Sequence, residues 1–178
     1  MRSSSSLTLQ GNGALRVLIS DIEIAESFDP AVFPHPVFKG FKAIWDTGAS
    51  GSVISSRVVA ALNLQPSGRV QMQTANGEAP ANTYLVNIKL PNGVGFAAVR
   101  VIEAVLVGNE DALIGMDIIG IGDFSITCAD GRTCMSFRLP SLKRIDYVEE
   151  HRQNYKPAMS DDDKRKARNK GKAFRRGH

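Results

Sequence analysis

Through most of the first 140 residues, apolar and polar positions alternate in runs too short for long helices and suited to strands. ALRVLISDIEIAE (14–26) predicts a strand, with Val17 and Ile19 on its apolar face. FDPAVFPHPVFKG (28–40) carries three prolines and reads as a loop or an edge. FKAIW (41–45) is the next strand. SSRVVAALNL (55–64) has apolar Val58, Val59, Ala61, Leu62 and Leu64, the pattern of a short helix behind a serine cap. Residues 68–90 hold Asn76-Gly77, a strong hairpin signal, between two strand-like arms. Pro80 in the second arm makes that hairpin a projecting edge.

VGFAAVRVIEAVLV (94–107) continues the β pattern. ALIGMDIIGIGDFSIT (112–127) begins as a buried strand, breaks at Gly115 into a turn or two of helix, and resumes as DFSIT. CMSFRLP (134–140) closes a last hairpin, and 141–155 has the composition of a helix. The sum is a mostly β domain over 14–140 with about seven strands and two short helices. A flexible Ser- and Gly-rich segment (1–13) is expected before it, and a C-terminal extension (141–178) ending in a basic disordered tail after it.

Charge changes this picture in one place. Of the 22 Lys and Arg, nine lie in residues 156–178 beside three Asp, so the tail carries +6 and residues 1–155 carry −2. The basicity belongs to the tail. KRKARNKGKAFRR (164–176) could bind nucleic acid nonspecifically or anchor the chain to an acidic partner; the plainer reading is a solvated tail. No apolar run reaches the length of a membrane span, and MRSSSSLTLQGNG lacks an export leader's apolar core, so a cytoplasmic protein is expected. Cys128 and Cys134 flank Ala-Asp-Gly-Arg, and two reduced thiols are the expectation there. If Asp130-Gly131 forms a two-residue turn, paired residue numbers sum to 261 and Cys134 faces Thr127. A three-residue loop would instead set the cysteines opposite each other.

The candidate chemistry sits in AIWDTGAS (43–50), where Asp46 ends an apolar strand. A carboxylate in a confined place is costly unless it is paired or shares a proton. This segment resembles the active-site signature of the retropepsin-like (retroviral-type) aspartic proteases. Three later features fall in that family's order: the short helix after the motif, the hairpin tip at Asn76-Gly77, and Leu113-Ile114-Gly115 leading into a helix.

The resemblance implies a closed β-barrel of the acid-protease fold, one lobe per chain, acting as a homodimer on peptide or protein substrates without a cofactor or metal. Asp46 would be the catalytic residue, Thr47, Gly48, Ala49 and Ser50 its loop, and Asn76 and Gly77 the flap over the peptide. Thr47 would lock the two loops across the subunit boundary. The chemistry needs two carboxylates sharing one proton, so that one activates water while the other polarises the carbonyl. The chain has a single Asp-Thr-Gly, which points to a symmetric dimer contributing Asp46 twice.

Several residues have competing readings. Asp117 reads as a residue at a helix start rather than a second catalytic acid, and Trp45 as core rather than substrate contact. His35, His151 and His178 read as solvated. A non-catalytic dimeric peptide-binding module on the same fold is the alternative to a peptidase, with a nucleic-acid-associated protein third.

Overall fold

The structure is a computed structural model that describes residues 4–74 and 77–154. Two units separate by internal packing, Met1–Lys143 and Arg144–His178. In the second, the described residues form one exposed helix, Tyr147–Asn154, whose start is held by Asp146 accepting from the amides of Val148 and Glu149. The basic run 156–178, with its expected acidic or nucleic-acid partner, lies outside the described residues.

The first unit is built on ten strands: β1 (Ser5–Gln10), β2 (Ile19–Glu26), β3 (Lys39–Trp45), β4 (Val53–Ile54), β5 (Gly68–Thr74), β6 (Gly77–Lys89), β7 (Gly95–Glu103), β8 (Ala112–Ile114), β9 (Asp123–Thr127) and β10 (Cys134–Leu139). Two helices, α1 (Ser56–Leu62) and α2 (Met116–Ile119), interrupt them. Strands run in the order β2-β3-β8-β4-β7-β6, and β6 pairs back onto β2, closing a six-stranded barrel. β5 lies outside the ring on β6, and β1-β10-β9 form a separate antiparallel sheet. The fold is therefore mostly β, a closed six-stranded barrel with few helices.

Burial explains the closure. Ile22, Ile24, Ile54, Val86, Ile88, Val101 and Ile114 point inward from five different strands and are at most 2% exposed. Each buried aliphatic side chain of this size contributes about 1.5–3 kcal/mol relative to exposure. Along residues 17–24, leading into and through β2, the buried face is Leu18, Ser20, Ile22 and Ile24; Val17 is exposed and Ile19 only half-buried, which reverses the expected apolar face. The even-numbered set wins because it carries Ile22 and Ile24 into the middle of the barrel.

Ser5–Gln10 were expected to be flexible and instead form a strand. Leu7 and Leu9 pack on the core while Ser6, Thr8 and Gln10 turn outward, and all six residues pair with β10. The helix at 56–62 follows Ser55 at the N-cap position, but the serine hydroxyl makes no capping bond. The β9–β10 hairpin has the two-residue register, Cys134 opposite Thr127, and both cysteines are free. Asp130 and Gly131 both have positive φ (53° and 72°), as a tight turn of this hand requires. His35 is not simply solvated: its ring stacks on Phe28 and Phe33 at centroid distances of 4.6 and 4.1 Å.

Candidate active site

β8 is the strand that organises the site. It runs parallel to β3 (Trp45 opposite Ile114) and antiparallel to β4 (Val53 opposite Leu113), so it lies between the two strands that the Asp46 turn connects. The turn, residues 46–52, must arch across the end of β8 and is tied to it at several points. The Asp46 amide donates to the Ile114 carbonyl at 3.0 Å, and the Met116 amide to the Ala49 carbonyl at 2.8 Å. The Gly115 amide donates to Ser52 Oγ at 3.1 Å. A Cβ on Gly115 would come within 2.6 Å of the Gly51 carbonyl, so only glycine permits this approach.

Asp46 follows the last residue of β3, and its residue is half-buried. Trp45, one residue earlier, is 5% exposed, donates its indole N–H to Ser20 Oγ at 2.9 Å and packs on Phe124 and Phe137. Core packing is its role. The Gly48 amide donates to Asp46 Oδ1 at 2.8 Å, which aims the carboxylate back over its own turn. Among the described residues, no basic side chain pairs with Asp46. Thr47 and Ser50 are exposed and Ala49 half-buried, so the middle of the loop faces outward.

Asp117 stands at the start of α2, as expected, and does more than meet the helix end. Its carboxylate accepts from the Ser52 amide (3.0 Å), the Ser52 hydroxyl (2.8 Å) and the Ile118 amide (3.0 Å). Both of its oxygens are occupied inside the chain. Sequence reasoning placed Asp117 correctly on the helix but missed Ser52, 65 residues away; the buried position of Ser52, 1% exposed, has no local sequence signal.

The expected hairpin tip divides. Thr74 pairs with Gly77, so Gly77 opens the return strand, while Asn76 lies outside the described residues. Gly77–Asn82 pair with β5 and not with the barrel; barrel pairing begins at Thr83, opposite Ile102. A two-stranded arm thus leaves the barrel. A separate concavity of about 1000 Å3 is lined by Asp21, Phe41, Lys42, Arg57, Lys89 and Asp111 among others, and Asp46 is not in its wall. Its charges neutralise one another as Lys42–Asp21, Lys89–Glu23 and Arg57–Asp111 pairs.

Residues 39–120 match the family model described as gag-polyprotein putative aspartyl protease. That span contains β3, the Asp46 turn, the β5–β6 arm, β8 and α2. Over that span, a little under half of its length, the chain is similar to the aspartyl proteases of gag polyproteins. Similar solved structures include a retropepsin-like aspartic protease from Rickettsia conorii, at 12% identity and TM-score 0.47, covering 78% of this chain and 97% of that one. The EIAV protease complexed with the inhibitor HBY-793 is 18% identical, with TM-score 0.40 and coverage of 59% and 86%. The retroviral protease-like domain of Ddi1 from Leishmania major is 18% identical, with TM-score 0.36 and coverage of 74% and 99%. No curated protein matches in sequence. Among the described residues, no helix is long and apolar enough to cross a membrane.

Proposed function

We propose that this retropepsin-like chain is an aspartic endopeptidase working as a homodimer, with Asp46 of each copy in one shared site. The observation that carries the reading is the contrast between Asp46 and Asp117. Asp46 is held at a turn with one hydrogen bond from Gly48 and no pairing cation, whereas the other acid near this turn in the fold is fully engaged with Ser52 and Ile118. Among the described residues of one chain, no second carboxylate is hydrogen-bonded to Asp46. A twofold axis beside the turn supplies it. Exposed apolar side chains on the segment tied to that turn, Met116 and Ile121, support a second copy there.

The mechanism follows from the pair. The ionised carboxylate takes a proton from water as it attacks the peptide carbonyl, and the protonated one donates to the carbonyl oxygen. The tetrahedral intermediate then collapses with proton transfer to the leaving nitrogen. Thr47 would join the two loops across the axis, and Gly48, Ala49 and Ser50 would line the floor. An extended peptide would lie over that floor as an added strand, with the β5–β6 arm around Asn76 and Gly77 closing on it. The free thiols of Cys128 and Cys134 support a reducing, cytoplasmic setting for this activity.

The test is cleavage of a peptide library across a range of pH. Cleavage should have an acidic optimum, falling on both sides because only the singly protonated pair holds base and acid together. It should vanish in Asp46→Ala. Binding of peptides without cleavage at any pH would favour the non-catalytic module instead.

A further inference from the structure

We infer that Asp117 is a positioning residue for Asp46, clamping the far arm of its turn through Ser52. The inference rests on the reading of Asp46 as the catalytic carboxylate. The turn 46–52 has little structure of its own: its internal bonds are Gly48 N–H to Asp46 Oδ1 at 2.8 Å and a long 3.4 Å bond from the Ala49 amide to the Asp46 carbonyl. Its shape is imposed by residues 114–117. At the near end the Ile114 carbonyl takes the Asp46 amide, and in the middle the Ala49 carbonyl takes the Met116 amide. At the far end Asp117 takes both the amide and the hydroxyl of Ser52, and that hydroxyl in turn accepts from Gly115.

The far clamp requires a carboxylate. Three donors converge on Asp117: Ser52 N–H, Ser52 O–H and its own neighbour Ile118 N–H. Two acceptor oxygens with a negative charge satisfy all three, and bonds to a charged acceptor are about twice as strong as neutral ones. An asparagine would offer one acceptor and turn its own N–H donors toward a donor. Ser52 is 1% exposed, so water cannot replace the lost partner without opening the turn. The Asp46 carboxylate would then sample several positions against its twin, and a displacement of about 1 Å in a reacting group can lower turnover on the order of 100-fold.

The test uses the full chain and two readouts: steady-state cleavage of a peptide that the wild type cuts, and amide hydrogen exchange at Ser52 and Gly48. Asp117→Asn should lower kcat about tenfold or more while KM stays within about twofold, because the floor persists and only the reacting group is misplaced. Exchange at Ser52 and Gly48 should accelerate, with the barrel amides of Val86 and Val101 unchanged. Ser52→Ala keeps the Asp117 charge and removes only the hydroxyl bridge; it should give a smaller fall in kcat and decides the matter if Asp117→Asn does not fold. The double variant should be no worse than Asp117→Asn alone, since both changes break one link.

Unchanged kcat in folded variants would overturn the inference, as would unaltered exchange at Ser52. A wild type that cuts no peptide would instead overturn the peptidase reading, while the exchange measurements still decide whether the clamp exists.

Discussion

Two corners of the molecule each place an aspartate where the chain turns, and they treat the carboxylate in opposite ways. At the start of β9, Asp123 accepts from Arg138 through two nitrogens, from Ser141 Oγ at 2.5 Å, and from the amides of Leu142 and Lys143 at 2.9 and 3.1 Å. At the end of β3, Asp46 accepts a single amide bond. The hydrogen bond from Ser141 leads the contributions holding the Asp123 carboxyl well below the ordinary carboxylate range, followed by the Leu142 amide and Arg138. The contrast teaches what a structural carboxylate looks like: its lone pairs are filled by donors from the segment it fastens. Asp111 shows the same pattern at a third place, taking the Lys42 amide at 3.0 Å and the Arg57 guanidinium at 2.5 Å. Among the described residues Asp46 has no such set of partners, and an acid left with open acceptor capacity on a tied loop is suited to chemistry.

The sharpest way to press this comparison is to neutralise each acid in turn. Asp46→Asn should abolish cleavage, on the order of 1000-fold or more, because it removes the proposed base. Its thermal midpoint should stay close to wild type, since no ion pair is lost. A mutant that loses activity only by unfolding would erase the distinction between the two kinds of aspartate.

Arg57→Ala should do the reverse. It leaves the Asp111 side chain, 12% exposed, without its cation. Stability should fall by about 1–3 kcal/mol, a range kept modest because Arg57 itself is largely exposed. Cleavage per folded dimer should hold steady in assays well below the new midpoint; denaturant titration beside kinetics reads both.

The smallest effect is a pH dependence. Asp123 has a depressed pKa when folded, so its contribution is fully present above the unfolded value near 3.8 and is lost as pH falls below it. Wild type should therefore lose thermal stability below pH 4 more steeply than Asp123→Asn. The two curves should converge in strong acid. Parallel curves would mean that Asp123 is not the fastening point of residues 141–143.

What could be read from the chain in advance follows the range of the interactions. The Asp46 turn was legible because an apolar strand running into Asp-Thr-Gly is a local pattern. The hairpin register was legible only as two alternatives, and the positive φ values of Asp130 and Gly131 decide for the two-residue turn. β1 was not legible, since its six residues are ordered by β10, more than 120 residues away, and only Leu7 and Leu9 mark them as a strand. The buried face of β2 escaped because both of its faces carry aliphatic residues, and only barrel closure chooses between them. Ser52 escaped for a similar reason: its amide and hydroxyl meet an acid on a helix that has not yet been made when the turn is read.

The central claim is that one site needs Asp46 from two chains, and subunit mixing tests it most directly. Wild type and Asp46→Asn are combined in equal amounts under conditions of free exchange, and activity is compared with the same total amount of wild type. Random pairing in a twofold dimer leaves about a quarter of the dimers with two aspartates. Activity near one quarter is the predicted result. Activity near one half would mean that each chain carries a complete site of its own, and the shared carboxylate pair would have to be given up.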